Sequence, residues 1–165
     1  MIISIKEIRN FLISILIPLL VGYSSSKISE YIAGLNTSTY YSQLIKPGFA
    51  PPGFVFPIVW TILYTLMGIS AYLITKKGYN LYKIKDAMFY YWLQLALNFL
   101  WSILFFGLDL RFASLVTIAI LIIVLCVMIY KFYKINKISG LMNLPYLIWL
   151  VYAFLLNYFI WMINK

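Results

Sequence analysis

The sequence predicts an all-α membrane protein, a five-transmembrane-helix bundle, and three observations carry that prediction. Of its 165 residues, 64% are hydrophobic and 10% charged, against about a quarter charged in an ordinary soluble domain. The apolar residues gather into runs of about 20, the length that crosses a hydrocarbon core of about 30 Å. Within each run they are continuous rather than alternating, which disfavours a transmembrane barrel.

Spans are expected at 6–26, 54–75, 84–106, 111–132 and 141–163 in a single domain over 1–165. The first follows Lys6 and Arg9 and has the look of a signal peptide, with Ser24-Ser25-Ser26 as a small-residue cleavage region. Four further spans need packing partners, so an uncleaved helix is the better reading. A long loop over 27–53 comes next. Its end, Lys46-Pro47-Gly48-Phe49-Ala50-Pro51-Pro52-Gly53, is no helix interior, because proline lacks the N–H donor and clashes with the preceding turn. A stiff loop at a membrane surface reads as a lid. Just inside it, Trp60 and Tyr64 stand one turn apart on the second span.

On the third span Gln94, Asn98, Trp101 and Phe105 follow at spacings of four, three and four, one helix face. An amide in hydrocarbon costs several kcal/mol unless it is hydrogen-bonded, so both amides should face the bundle interior. They serve there either as interhelical glue, about 0.6 kcal/mol per bond, or as lining of a ligand cavity. Trp92, beside Phe89, Tyr90 and Tyr91, reads as interfacial belt. The tight turn Gly107-Leu108-Asp109-Leu110-Arg111 sets Asp109 and Arg111 to cap the corner or pair with each other. Cys126, amid branched apolar residues on the fourth span, is a lipid- or core-facing filler. On the fifth, Trp149, Ala153, Asn157 and Trp161 recur every four residues. That stripe makes either a flat slot for a planar ligand or a packing seam ending in an interfacial anchor.

Composition removes whole classes of function. With no histidine and one cysteine, internal disulfides, Cys/His zinc or iron–sulfur sites and histidine-ligated haem are excluded. A tetrapyrrole held without axial ligation is not. The net charge of +9 lies in short loops between apolar spans, which points to anionic lipid rather than nucleic acid. Nine basic residues (Lys6, Arg9, Lys76, Lys77, Lys83, Lys85, Lys131, Lys134 and Lys137) share the N-terminal side, against Lys27, Lys46, Arg111 and Lys165 opposite. The N-terminus is therefore expected in the cytoplasm, with the lid loop and C-terminus outside. No internal repeat and no mid-span charge speaks for active transport. No paired carboxylates, nucleophile elbow or phosphate loop appears, so any chemistry rests on tryptophan, tyrosine or the ligand itself.

Three blocks resemble the TspO/translocator-protein (tryptophan-rich sensory protein) family. They are Lys46-Pro47, Pro51-Pro52-Gly53, Val59-Trp60, Leu63-Tyr64 and Met67-Gly68; then Asn98-Phe99-Leu100-Trp101, Phe105-Phe106 and Arg111; then Pro145-Tyr146, Trp149, Ala153, Leu156-Asn157-Tyr158 and Trp161. The resemblance implies a five-helix bundle, commonly a homodimer, in a bacterial cell membrane, with a cavity under the first loop for a porphyrin such as protoporphyrin IX or another planar hydrophobic ligand. Carried over by motif, ligand-binding residues are Trp60, Tyr64, Asn98, Trp101, Trp149, Ala153 and Asn157, and the lid is shaped by Tyr40, Tyr41, Pro47, Pro51 and Pro52. The function implied is a tetrapyrrole-binding sensor or receptor that needs no cofactor. The alternatives are light- and oxygen-dependent porphyrin breakdown, with Trp60 and Trp149 as redox participants, or tetrapyrrole or sterol transport. The chain departs from the family where Tyr40-Tyr41 and Phe49 replace frequent tryptophans. Six residues also separate Tyr158 from Lys165, one too many for the sterol pattern of animal relatives.

Overall fold

The computed structural model describes residues 4–78 and 81–164. Lys165, counted above among the lid-side charges, lies outside them. Five of its helical stretches are long and apolar enough to cross a membrane.

Helix α1 (Ile5–Ala33) starts at a capping box, in which Ser4 and Glu7 satisfy each other's backbone donors. It runs past the expected end at residue 26. The serines do not break it, because Ser25 and Ser29 turn their hydroxyls back onto the carbonyls of Gly22 and Ser25 (2.9 and 2.7 Å). It stops at Gly34, whose φ of +66° is the left-handed cap glycine supplies cheaply. The lid therefore spans 34–54 rather than 27–53, and it contains a short helix α2 (Thr37–Gln43) capped by Asn36.

Helix α3 (Val55–Thr75) accepts Pro57 in its first turn, where no N–H is missed. Helix α4 (Tyr82–Ser102) is shorter than the expected 84–106 span because Ile103–Gly107 form a π-helical turn. The Leu108 N–H reaches back five residues to the Ile103 carbonyl (2.9 Å). Beyond it α5 (Arg111–Ile135) carries Cys126 on an exposed, lipid-side position. The last apolar stretch is broken into α6 (Lys137–Leu141) and α7 (Leu144–Ile163), with Pro145 in the first turn of α7.

Helix α1 lies along α3 and against the π turn, α4 along α5, and α5 along α7. The α1–α3 approach depends on Gly68, where a Cβ would fall 2.5 Å from both the Ile15 Cα and the Ser14 carbonyl oxygen. That carbonyl is the one Pro18 leaves without a helical N–H partner. Met67, Ile74, Leu125, Met128, Phe132 and Ile160 are fully buried between the helices. Phe89 and Trp92 face outward, consistent with an interfacial belt.

Candidate functional site

Where the lid runs into α3, the first three turns of that helix bring Trp60 and Tyr64 into a stack, ring centres 5.3 Å apart. From α4, Trp101 meets Trp60 at 6.3 Å. The wide π turn then sets both Phe105 and Phe106 against Trp101, one stacked (5.6 Å, 18°) and one edge-on (5.9 Å, 84°). A regular helix would have kept only the residue four positions on; the sequence carried no sign of the wider turn.

All of these rings but that of Phe105 border a cavity of about 510 Å³, within the size range of small-molecule sites. Trp60, Tyr64, Trp101, Phe56 and Phe106 supply its aromatic wall, and Asn98 a polar point. The lid contributes Thr37, Ser38, Tyr41, Gly53 and Phe54, and α1 contributes Leu19, Gly22, Tyr23, Ser25 and Ser26. The α1 wall was missed at the sequence level: small and hydroxyl residues inside an apolar run leave no periodic signal. Its closeness to α3 rests on Gly22, where a Cβ would sit 2.2 Å from the Tyr64 ring.

Both amides face inward, Gln94 and Asn98 being 0% and 2% exposed, and both are spoken for. Tyr64 donates its hydroxyl to Asn98 Oδ1 (3.1 Å), and Asn98 Nδ2 donates to the Tyr146 hydroxyl (2.8 Å). Tyr146 donates in turn to Gln94 Oε1 (3.1 Å), and Gln94 Nε2 reaches the Met67 sulfur (3.7 Å). This relay couples α3, α4 and α7, as interhelical glue does, and it ends at the wall of the cavity that Asn98 borders. Tyr146 is the residue sequence reasoning omitted from the site. The signal for it was chemical: two interior amides needed partners, and a tyrosine at the start of the last span could supply one. The Trp101 indole N–H is buried and unpaired among the described residues, as is that of Trp149.

The α7 stripe does not line the cavity. Trp149 stands edge-on to Phe56 (5.9 Å) and beside Tyr152 (5.3 Å). Asn157 bonds to Ser114 of α5 (3.0 Å). Ala153 and Asn157 border a separate void of about 10 Å³. Tyr41, Phe56, Trp101 and Phe106 form the partition between that void and the cavity, since they border both. The stripe's periodicity marked a special face, but its partner is the lid-side aromatic wall and α5. Trp161, at its end, lies against Phe112 (5.3 Å).

Of the lid residues, Tyr41 points into the cavity and bonds through its hydroxyl to the Pro51 carbonyl (3.0 Å). Tyr40 points elsewhere. It donates to Asp109, with its ring against Phe105 and Phe106. Burial, and for Tyr40 next the Asp109 carboxylate, push both phenols up to about 12. Pro47 and Pro52 shape turns, their carbonyls accepting from Ala50 and Val55 (3.0 and 3.1 Å). Lys46 folds its ammonium onto the carbonyls of Tyr41 and Leu44 (both 2.9 Å). Asp109, held at a φ of +55°, pairs with Arg111 as one of the two sequence readings had it (2.8 Å). Among the described residues no three His, Cys, Asp or Glu side chains converge as a metal site would require. The cavity's own chemistry is stacking and neutral hydrogen bonding.

The sequence profile of the TspO/MBR family matches residues 14–162. The chain is 39% identical over 159 residues to the tryptophan-rich protein TspO of Archaeoglobus fulgidus, covering 96% of this chain and 99% of that one. It is 32% identical over 124 residues to the tryptophan-rich sensory protein of Cereibacter sphaeroides, covering 75% and 76%. To the translocator protein of Sus scrofa it is 32% identical over 152 residues, covering 91% and 87%.

Proposed function

The chain belongs to the TspO/MBR family of integral, multi-pass membrane proteins, and from that premise we propose that it is a sensor or receptor for tetrapyrroles, bound in the cavity beneath the lid. The observation that carries the reading is the cavity itself: about 510 Å³, walled by Trp60, Tyr64 and Trp101 and roofed by Tyr41. A planar macrocycle gains there from burial and from stacking on aromatic faces. Asn98, fixed by Tyr64 and Tyr146, offers its remaining N–H to a polar substituent. Trp149, Ala153 and Asn157 would join the site only if the partition of Tyr41, Phe56, Trp101 and Phe106 opened. On the same reading the lid faces outside, with the lysine-rich ends of the helices in the cytoplasm.

Protoporphyrin IX added to the reconstituted protein should show a saturable red shift of its main absorption band. A shift no different from that in protein-free lipid would overturn the reading. The contact of Trp60 with Tyr64 and Trp101 (5.3 and 6.3 Å) also favours a second reading, light- and oxygen-dependent breakdown of the bound porphyrin through Trp60. Illuminating the complex in air decides it: bleaching no faster than in lipid alone rejects catalysis.

A further inference from the structure

The cavity's boundaries are held very differently on their two sides. The lid above it is tied down along its length. The Thr37 N–H donates to Glu30 (3.3 Å) and the Tyr40 hydroxyl to Asp109. The Ile45 backbone exchanges two bonds with the Asn164 side chain (3.0 and 2.8 Å). The Phe49 carbonyl accepts from Tyr152 (2.9 Å). Arg111 braces the two central ties, since it pairs with Asp109 (2.8 Å) and donates to the Asn164 carbonyl (2.6 Å). All these ties land on the end of α1, the α4–α5 turn or α7.

The flank between α1 and α3 is the opposite case. Among the described residues, no side-chain hydrogen bond crosses from α1 to α3 there. Cavity-lining Tyr23 and Phe54 are 63% and 67% exposed, and Pro57 and Thr61 are exposed with them. Tyr23, Pro57 and Thr61 lie on membrane-length helices, and their exposed faces open on the outer side of the bundle. Among the described residues no charged side chain lines the cavity behind them.

We infer that the ligand reaches the cavity sideways from the bilayer, through the gap between α1 and α3 in the lid-side leaflet, while the lid stays shut. The inference rests on the cavity being the tetrapyrrole site. It favours planar macrocycles that dissolve in the bilayer with any ionised substituent held at the headgroup level, because the wall offers no counter-charge among the described residues.

The test times indole quenching in lipid vesicles by protoporphyrin IX dimethyl ester, an uncharged macrocycle dissolved in the bilayer beforehand. The association rate should follow the ester's mole fraction in the lipid, not its total concentration. Thr61→Trp, which narrows the gap from α3, should slow uptake and release together by tenfold or more. Ser26→Phe does the same from α1 and keeps the test alive should Thr61→Trp fail to fold. Asn164→Ala, which frees the middle of the lid, should leave both rates unchanged. If instead Asn164→Ala speeds both rates tenfold while the two gap variants change neither, the ligand passes the lid and the sideways route is wrong, with the tetrapyrrole reading intact. No saturable quenching in any of the proteins would overturn both.

Discussion

Tyr146 joins two amides that would otherwise be stranded in hydrocarbon. Its single hydroxyl accepts from Asn98 and donates to Gln94, so Tyr146→Phe leaves the Gln94 carbonyl oxygen without a donor. An orphaned buried acceptor costs about 1–3 kcal/mol. The variant should therefore melt measurably below the wild type in detergent, whereas Tyr158→Phe, on the outer face of α7, should melt with it; coincident melting of all three would remove the relay from the account. In the lid, Tyr40 makes a pH prediction. Its phenol is raised from 10 to about 12 by burial, then by Asp109, so its neutral form is favoured in the closed lid. Stability from this group is fully present below pH 10 and is lost as the pH climbs from 10 to about 12. Tyr41 is raised as well, so Tyr40→Phe should remove only part of the loss. A phenolate absorbance titration of the two proteins checks this: their difference should titrate near 12, and a difference centred at 10 would contradict the tie to Asp109.

At the scale of helices, apolar run length and the outward belt were legible in the sequence because the bilayer imposes both. Boundaries were less so. Serines look like a break in an apolar run, yet in α1 their hydroxyls bond to the preceding turn and the helix runs on to Gly34. The π turn after Ser102 was invisible, since no residue in Ile103–Gly107 marks the wider turn. Glycines were read as motif letters and turn out to be contact points. Gly68→Val would drive a side chain into the Ile15 backbone, so α1 and α3 must part, at a cost of about 1–3 kcal/mol for an overpacked contact. Gly48→Ala, with nothing within 4 Å of the added carbon, should be silent. Thermal unfolding of the pair checks this: equal stabilities would show that α1 and α3 do not need the glycine contact.

For the molecule as a whole, the helix faces of α3 and α4 were legible because amides and indoles at helical spacing stand out against leucine and isoleucine. Which helices face one another was not, because periodicity marks a face without naming its partner. The α7 stripe, the strongest pattern in the chain, lies behind the partition, while the quiet small residues of α1 build a cavity wall. The cavity proposed for the ligand thus lies among α1, α3, α4 and the lid. The most decisive experiment titrates reconstituted protein with protoporphyrin IX and follows tryptophan fluorescence in the wild type, Trp60→Leu and Trp92→Leu. Saturable quenching is expected for the wild type, an affinity at least tenfold weaker for Trp60→Leu, and wild-type affinity for Trp92→Leu, whose side chain is exposed on the outside of the bundle. Equal affinity in all three, or quenching that rises without saturating, would contradict that placement.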